Sequence, residues 1–148
     1  MIRPYPHIYT AAAGARPEGA VGLTSTDLPE IATASPPEFG GPGGVWSPET
    51  LLCASVADCF ILTFRAVSRA AKFDWLSLEC RVEGILERVD GLAQFTRFAS
   101  HVTLTVPRGT DAAQARALLE RAEKGCLVAN SLRGARTLEV ELREQSAG

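Results

Sequence analysis

The sequence has few of the features by which a function is usually recognised. Its 148 residues include two histidines and four cysteines, with no C-x-x-C pair among them. His7 and His101 sit alone in strand-like stretches. Cys53 and Cys59 are six apart, so on a helix they point away from each other. This spacing gives no metal motif. A G-x-S-x-G elbow and a P-loop are also missing. GGPGG, Gly40 to Gly44, matches a phosphate loop only in composition and reads as a connector.

Charge of one sign is lacking too: 15 Lys and Arg stand against 17 Asp and Glu. The chain therefore shows no electrostatic footprint for nucleic acid or for an anionic membrane surface. No uninterrupted apolar run approaches the roughly 18 residues of a membrane span. The N-terminal MIRPYPHIYT has no apolar signal core. These absences point to a soluble cytoplasmic protein, read as one domain over residues 1–148 with a core of ordinary size. In a reducing cytosol, any disulfide among the four cysteines is transient and catalytic rather than structural.

What is present is well patterned. Residues 5–24 read as a β-hairpin, with HIYTAA and AVGLTS as strands around the turn GARPEG, and EIATAS from Glu30 as a third strand. PPEFGGPGG, Pro36 to Gly44, is too rich in Pro and Gly for regular structure. Ser47, Pro48 and Glu49 then form a strong helix start, with Ser47 as N-cap. The helix should run to about Lys72. Leu52, Val56, Phe60, Phe64 and Val67 form one stripe at steps of three and four. Leu51, Ile61 and Leu62 add apolar character on other sides, which suits a central or interfacial helix.

Two alternating strands follow, one from Leu76 to Glu87 and one from Arg97 to Val106. Asp90-Gly91 lies near their turn, so they read as an antiparallel hairpin with one wet face. Asp111 to Lys124 is an amphipathic helix, capped by Thr110 or Asp111 and closed by Gly125. Cys126 to Leu132 reads as a short helix and TLEVELRE, from Thr137, as a last strand. The order β-β-β-α-β-β-α-α-β specifies an α+β fold, with helices against a mostly antiparallel sheet.

Chemistry is then left to the cysteines. Cys53 on the helix and Cys80 on an apolar strand face read as core filler. Cys126 opens a short helix, where free N–H groups and the dipole lower a thiol's pKa, and its placement allows a reactive role as readily as filler. Cys59, taken alone, is open to both readings. Asp58 beside it would raise a thiol's pKa by like-charge repulsion, unless it turns away or pairs with a cation such as Arg65.

SPETLLCASVADCF, Ser47 to Phe60, resembles the first cysteine motif of the OsmC/Ohr family, a Pro-Glu helix start followed ten residues later by Cys. EKGCLVANSL, Glu123 to Leu132, is similar to the second motif. The loop before the helix and the order of elements match as well, so the resemblance covers nearly the whole chain. Asp58, Leu127 and Ser47 depart from the family's usual residues, which suggests a divergent branch.

The resemblance implies an intertwined homodimer with a long central helix and two active sites at the subunit interface. It also implies a thiol peroxidase for organic hydroperoxides that needs no bound cofactor. Carried over, Cys59 is the peroxidatic cysteine, Cys126 the resolving one, Arg16 the site arginine and Glu49 the glutamate that holds it. Apolar Val56, Phe60 and Trp46 would suit an alkyl hydroperoxide. Reducing equivalents would come from a dithiol donor such as a lipoylated protein. Ten helical residues rise about 15 Å, so Glu49 cannot touch Cys59 along one straight helix. The rival reading is a non-enzymatic dimeric module of the same fold that binds a small apolar ligand at the subunit interface. A thiol-disulfide oxidoreductase is the third, disfavoured by the missing C-x-x-C.

Overall fold

The computed structural model describes residues 2–146. The chain forms two compact units, Met1–Leu51 and Leu52–Gly148. The first holds a small antiparallel sheet of β1 (Ala12–Gly14), β2 (Val21–Thr24) and β3 (Ile31–Thr33), in that order. The opening strand starts later than HIYTAA suggests. β2 is only four residues long and, on its β1 side, reaches Ala12, Ala13 and Gly14, leaving Ile8 and Tyr9 exposed. The Pro- and Gly-rich segment contains a single 3₁₀ turn at Pro37–Phe39 and is otherwise irregular.

Helix α1 (Pro48–Ala70) begins where the capping signal places it. Ser47 Oγ accepts from Thr50 N at 3.1 Å, and Thr50 Oγ1 accepts from Ser47 N at 2.9 Å. This reciprocal arrangement satisfies two backbone donors at once. By length and composition α1 could cross a membrane, a property hidden by the lack of an uninterrupted apolar run. Asp58 and Arg65 break the run, while Ala, Cys, Ser and Thr fill it.

In the second unit, α1 buries Val56, Phe60 and Phe64 of the expected stripe, with Leu52 and Val67 partly buried, and Ser68 is buried beside them. The hairpin of β4 (Ser77–Val89) and β5 (Leu92–Val106) turns at Asp90-Gly91, both with positive φ, 50° and 80°. That pair of left-handed residues matches the right-handed twist of a two-residue hairpin. Along β5, Phe98, Ser100, Val102, Leu104 and Val106 are buried in strict alternation. On the opposite face His101 is held between Glu139 at 2.9 Å and Glu83 at 3.5 Å.

Helices α2 (Ala112–Gly125) and α3 (Leu127–Asn130) cross over to β6 (Ala135–Glu144), which lies parallel to β5. The pairing is mostly antiparallel, as expected, and β6 departs from it because a helical crossover returns the chain in the same direction. Asp111 is the α2 cap, accepting from Ala113 N at 2.9 Å and Gln114 N at 3.2 Å. Gly125 does not close the helix in a left-handed turn; it is the last helical residue, and Cys126 follows as the cap.

The core joins Phe60 and Phe64 of α1, Val102, Leu104 and Val106 of β5, and Ala115, Leu118, Leu119 and Ala122 of α2. Buried Ser68 accepts from the Trp75 indole N–H at 2.9 Å, and that ring lies edge-on to Phe64. Gly84 in β4 is required by close packing: an added Cβ would lie 2.8 Å from Cys53 Sγ and 3.0 Å from Phe95 Cε1. Gly84→Ala should therefore destabilise the protein by about 1–3 kcal/mol. Urea unfolding in a Cys53→Ala background should recover part of that loss, and a midpoint unmoved by Gly84→Ala would refute the packing account.

Candidate active site

Cys59 and Cys126, 67 residues apart, meet on one side of α1. Cys59 is partly buried on α1. Its Sγ lies 3.9 Å from Thr63 Oγ1, one turn further along, and the Thr63 hydroxyl donates to the Cys59 carbonyl at 2.7 Å. With its proton so placed, the Thr63 oxygen is free to accept from the thiol, and a rotation would make it a donor to sulfur. Cys126 joins α2 to α3 and is 1% exposed. Its Sγ points at the Val56 carbonyl, 4.0 Å away and one turn before Cys59. Both thiols are free, and both belong to one packed cluster.

Val56, Phe98 and Ala129 are buried around this pair, with Leu52, Val82, Phe95, Val128 and Leu132 packed against them. Phe95 and Phe98 stack with centroids 5.4 Å apart. The surroundings of the thiols are thus almost wholly apolar. Burial pushes the Cys126 thiol up to about 11, and the adjacent Cys59 side chain and the Glu123 carboxylate push the same way. The Ala129 N–H, within the short helix, pulls in the other direction and loses. The expected lowering of this thiol by its helix is therefore overturned: four residues of helix offer one N–H, while desolvation acts on the whole thiolate. Cys80 rises to about 12, first through burial and then through Glu123 and Cys126. Burial also raises Cys53.

The other residues implicated by the sequence are distributed unevenly. Val56 lines the cysteine cluster, whereas Phe60 is buried in the main core. Trp46 is half exposed and forms an isolated bridge with Thr33. Arg16 is exposed in the segment between β1 and β2 and, among the described residues, makes no ion pair with Glu49. Glu49 Oε1 is buried with no hydrogen-bond donor. Asp58 is exposed and unpaired among the described residues, so it turns to solvent rather than to Arg65. Thr63, Phe95 and Phe98 escaped sequence reasoning. Helical spacing from Cys59 would have found Thr63, and the alternation of β5 already placed Phe98 on the buried face. Among the described residues no three His, Cys, Asp or Glu side chains converge as a metal ion would require.

The chain thus combines an α+β fold with two free cysteines in one cluster beside a long central helix. The chain belongs to the family described as OsmC-like protein, whose profile matches residues 41–141. It is 28% identical to the peroxiredoxin OsmC of Escherichia coli (strain K12) over 128 residues, 86% of this chain and 88% of that protein. It is 23% identical to the uncharacterized protein YmaD of Bacillus subtilis (strain 168) over 145 residues, 96% of this chain and 97% of that one. Among solved structures, the organic hydroperoxide resistance protein OsmC of Legionella pneumophila superposes with a TM-score of 0.74 at 26% identity, covering 95% of this chain and 99% of that one.

The raised thiols give a direct expectation. Near pH 8, iodoacetamide should modify Cys59 well before Cys126 or Cys80, and labelling of Cys126 should climb only as pH approaches about 11. Peptide mapping of labelled protein across pH 7–11 checks this. Early labelling of Cys126 would contradict the burial account. The sign for stability follows: above about pH 9 the unfolded thiols lose protons that the folded ones keep, so folding stability should fall as pH rises.

Proposed function

We propose that this protein is a thiol peroxidase acting on organic hydroperoxides, with Cys59 as the peroxidatic and Cys126 as the resolving cysteine. The observation that carries the reading is the pair of free thiols that share one apolar cluster. Its relatives named for peroxiredoxin activity and hydroperoxide resistance support it.

The Cys59 thiolate attacks the distal oxygen of ROOH, the O–O bond breaks, and the alkoxide leaves as ROH after taking a proton. Cys59 is left as a sulfenic acid. The Cys126 sulfur then attacks the Cys59 sulfur; an S–S bond forms and the hydroxyl leaves with the Cys126 proton as water. This second step requires the Cα atoms to approach within about 7 Å. Two electrons and two protons from a dithiol donor, in this reading a lipoylated protein, restore both thiols. No cofactor takes part.

The environments divide the labour. Cys59 is the more accessible sulfur and meets substrate, while Cys126, kept protonated by burial, waits for an electrophilic sulfur. Val56 and the stacked Phe95 and Phe98 favour an alkyl or aryl group over hydrogen peroxide. Arg16 is proposed as the guanidinium that serves the peroxide oxygen, and Glu49 as the carboxylate that holds Arg16. The unpartnered buried oxygen of Glu49 supports this, since such an atom calls for a donor. A homodimer, the cytoplasm as its location and a single functional domain complete the proposal. Leu62 on α1 is 52% exposed, an apolar side chain that a second copy would cover.

Treatment of the reduced protein with one equivalent of cumene hydroperoxide should consume two thiols and give a Cys59–Cys126 linked peptide. Cys59→Ser should abolish turnover. Cys126→Ser should leave Cys59 oxidisable but without that link. Unchanged thiols after treatment, or full activity in Cys59→Ser, would sink the proposal and leave ligand binding as the rival. Arg16→Ala should slow peroxide reduction by about tenfold to a hundredfold if its guanidinium stabilises the departing oxygen, measured as kcat/KM.

A further inference from the structure

Arg136, at the start of β6, directs its whole guanidinium at the segment that carries Cys126. Its Nε donates to Glu123 Oε1 at 2.8 Å, its Nη1 to Asn130 Oδ1 at 2.7 Å, and its Nη2 to the Glu123 backbone carbonyl. Asn130 closes the ring by donating through Nδ2 to the Lys124 carbonyl at 3.0 Å. Glu123 and Lys124 lie in the last turn of α2 and Asn130 ends α3, so these bonds straddle Cys126 on both sides.

Three features make this more than a surface ion pair. First, both side chains are largely buried: 24% of Arg136 and 18% of Glu123 are exposed. Second, the carbonyls engaged belong to the last turn of a helix, where intrahelical donors run out; the backbone offers the Glu123 carbonyl a long bond of 3.4 Å from Cys126 N. A guanidinium with five N–H groups in a fixed plane can meet several such acceptors together, which an ammonium cannot. Third, the backbone of Arg136 is itself held in the sheet, paired with Phe98, and Phe98 packs in the same cluster as Cys126 and Cys59. The strand that fixes the guanidinium therefore also fixes one wall of the site.

We infer that Arg136 is a positioning residue that clamps the Cys126 turn, so that the disulfide with Cys59 closes before Cys59 can be oxidised again. The inference rests on the peroxidase reading for its consequence, though not for its geometry. A Cys59 sulfenic acid has two fates. Attack by the Cys126 sulfur forms the disulfide and releases water. Attack by the sulfenate on a second ROOH forms the sulfinic acid and releases ROH. The first is intramolecular, and its advantage depends on holding the two sulfurs in place. Loosening the Cys126 turn slows the first fate and leaves the second untouched.

The test compares the full chain with Arg136→Gln, Arg136→Lys and Asn130→Ala. Each reduced protein is treated with diamide, which drives thiol pairs to disulfide without any peroxidase chemistry, and separately with a cumene hydroperoxide series. Linked peptides and Cys59 sulfinate are quantified by mass, and thermal unfolding monitors the fold. Arg136→Gln should close the Cys59–Cys126 disulfide about tenfold more slowly with diamide. At equal peroxide it should accumulate several-fold more sulfinate, while the first oxidation of Cys59 keeps its native rate. Arg136→Lys should fall between. Native disulfide rates and native sulfinate levels in Arg136→Gln would overturn the inference. If Arg136→Gln does not fold, Asn130→Ala decides, with a smaller slowing in the same direction expected and a native rate overturning it. If the native protein forms the disulfide with diamide but not with hydroperoxide, the peroxidase reading fails while the diamide comparison still judges the clamp.

Discussion

The packing of one face of α1 against the alternating face of β5 is the constraint on which the second unit depends. Phe60 and Phe64 meet Val102, Leu104 and Val106, and α2 closes over them. Phe64, Leu104 and Leu119 are fully excluded from water. Burial of that many large side chains, at about 1.5–3 kcal/mol each, outweighs any single polar interaction in the fold. It also fixes the rotation of α1 about its axis. Once Phe60 and Phe64 face β5, Val56 and Cys59 are committed to the neighbouring sector, where the α2–α3 turn arrives. The position of Cys59 is therefore a consequence of core packing several residues away.

The turn that brings Cys126 is held differently. Its helix is four residues long and contributes little stability of its own. It is fastened from below by burial of Cys126 and Ala129, and from the side by the hydrogen bonds of Arg136. One sulfur of the pair is thus carried on a rigid helix, the other on a short clamped turn. Closing a disulfide requires some movement, and a clamped turn can supply small displacements that a packed 23-residue helix cannot.

Much of this was legible in the sequence because local rules and the fold agree. The Ser47 cap, the apolar stripe of α1, the Asp90-Gly91 turn and the alternation of β5 each follow from chemistry that acts over a few residues. What was not legible came from long range. The parallel pairing of β6 with β5 is decided by the crossover of α2 and α3, since TLEVELRE alternates identically in either orientation. The assignment of Phe60 to the main core and Val56 to the thiol cluster depends on where β5 and α2 lie, not on the α1 pattern. Arg136 gave no signal at all: a single arginine before an alternating strand looks like a solvated charge until α2 is folded against it.

The Cys126 thiol shows most clearly why local reasoning failed at the site. Read from sequence, a cysteine at a helix start gains from the dipole and the free N–H groups. In the fold the Ala129 N–H is indeed directed at the sulfur, but the thiol is buried among apolar side chains beside another sulfur and near a carboxylate, and it rises to about 11. A high pKa is a handicap for a nucleophile that must find its target in solution, since little thiolate exists near neutrality. It is no handicap for one whose target is generated within reach. In the reaction proposed above, a sulfenic acid on Cys59 would offer an electrophilic sulfur near Cys126, and the hydroxyl it releases would take the Cys126 proton. The same burial shields Cys126 from peroxide in bulk solvent, so it is not spent by direct oxidation. Burial that would disable a first nucleophile thus suits a second one, provided the turn that carries it is held in register with α1.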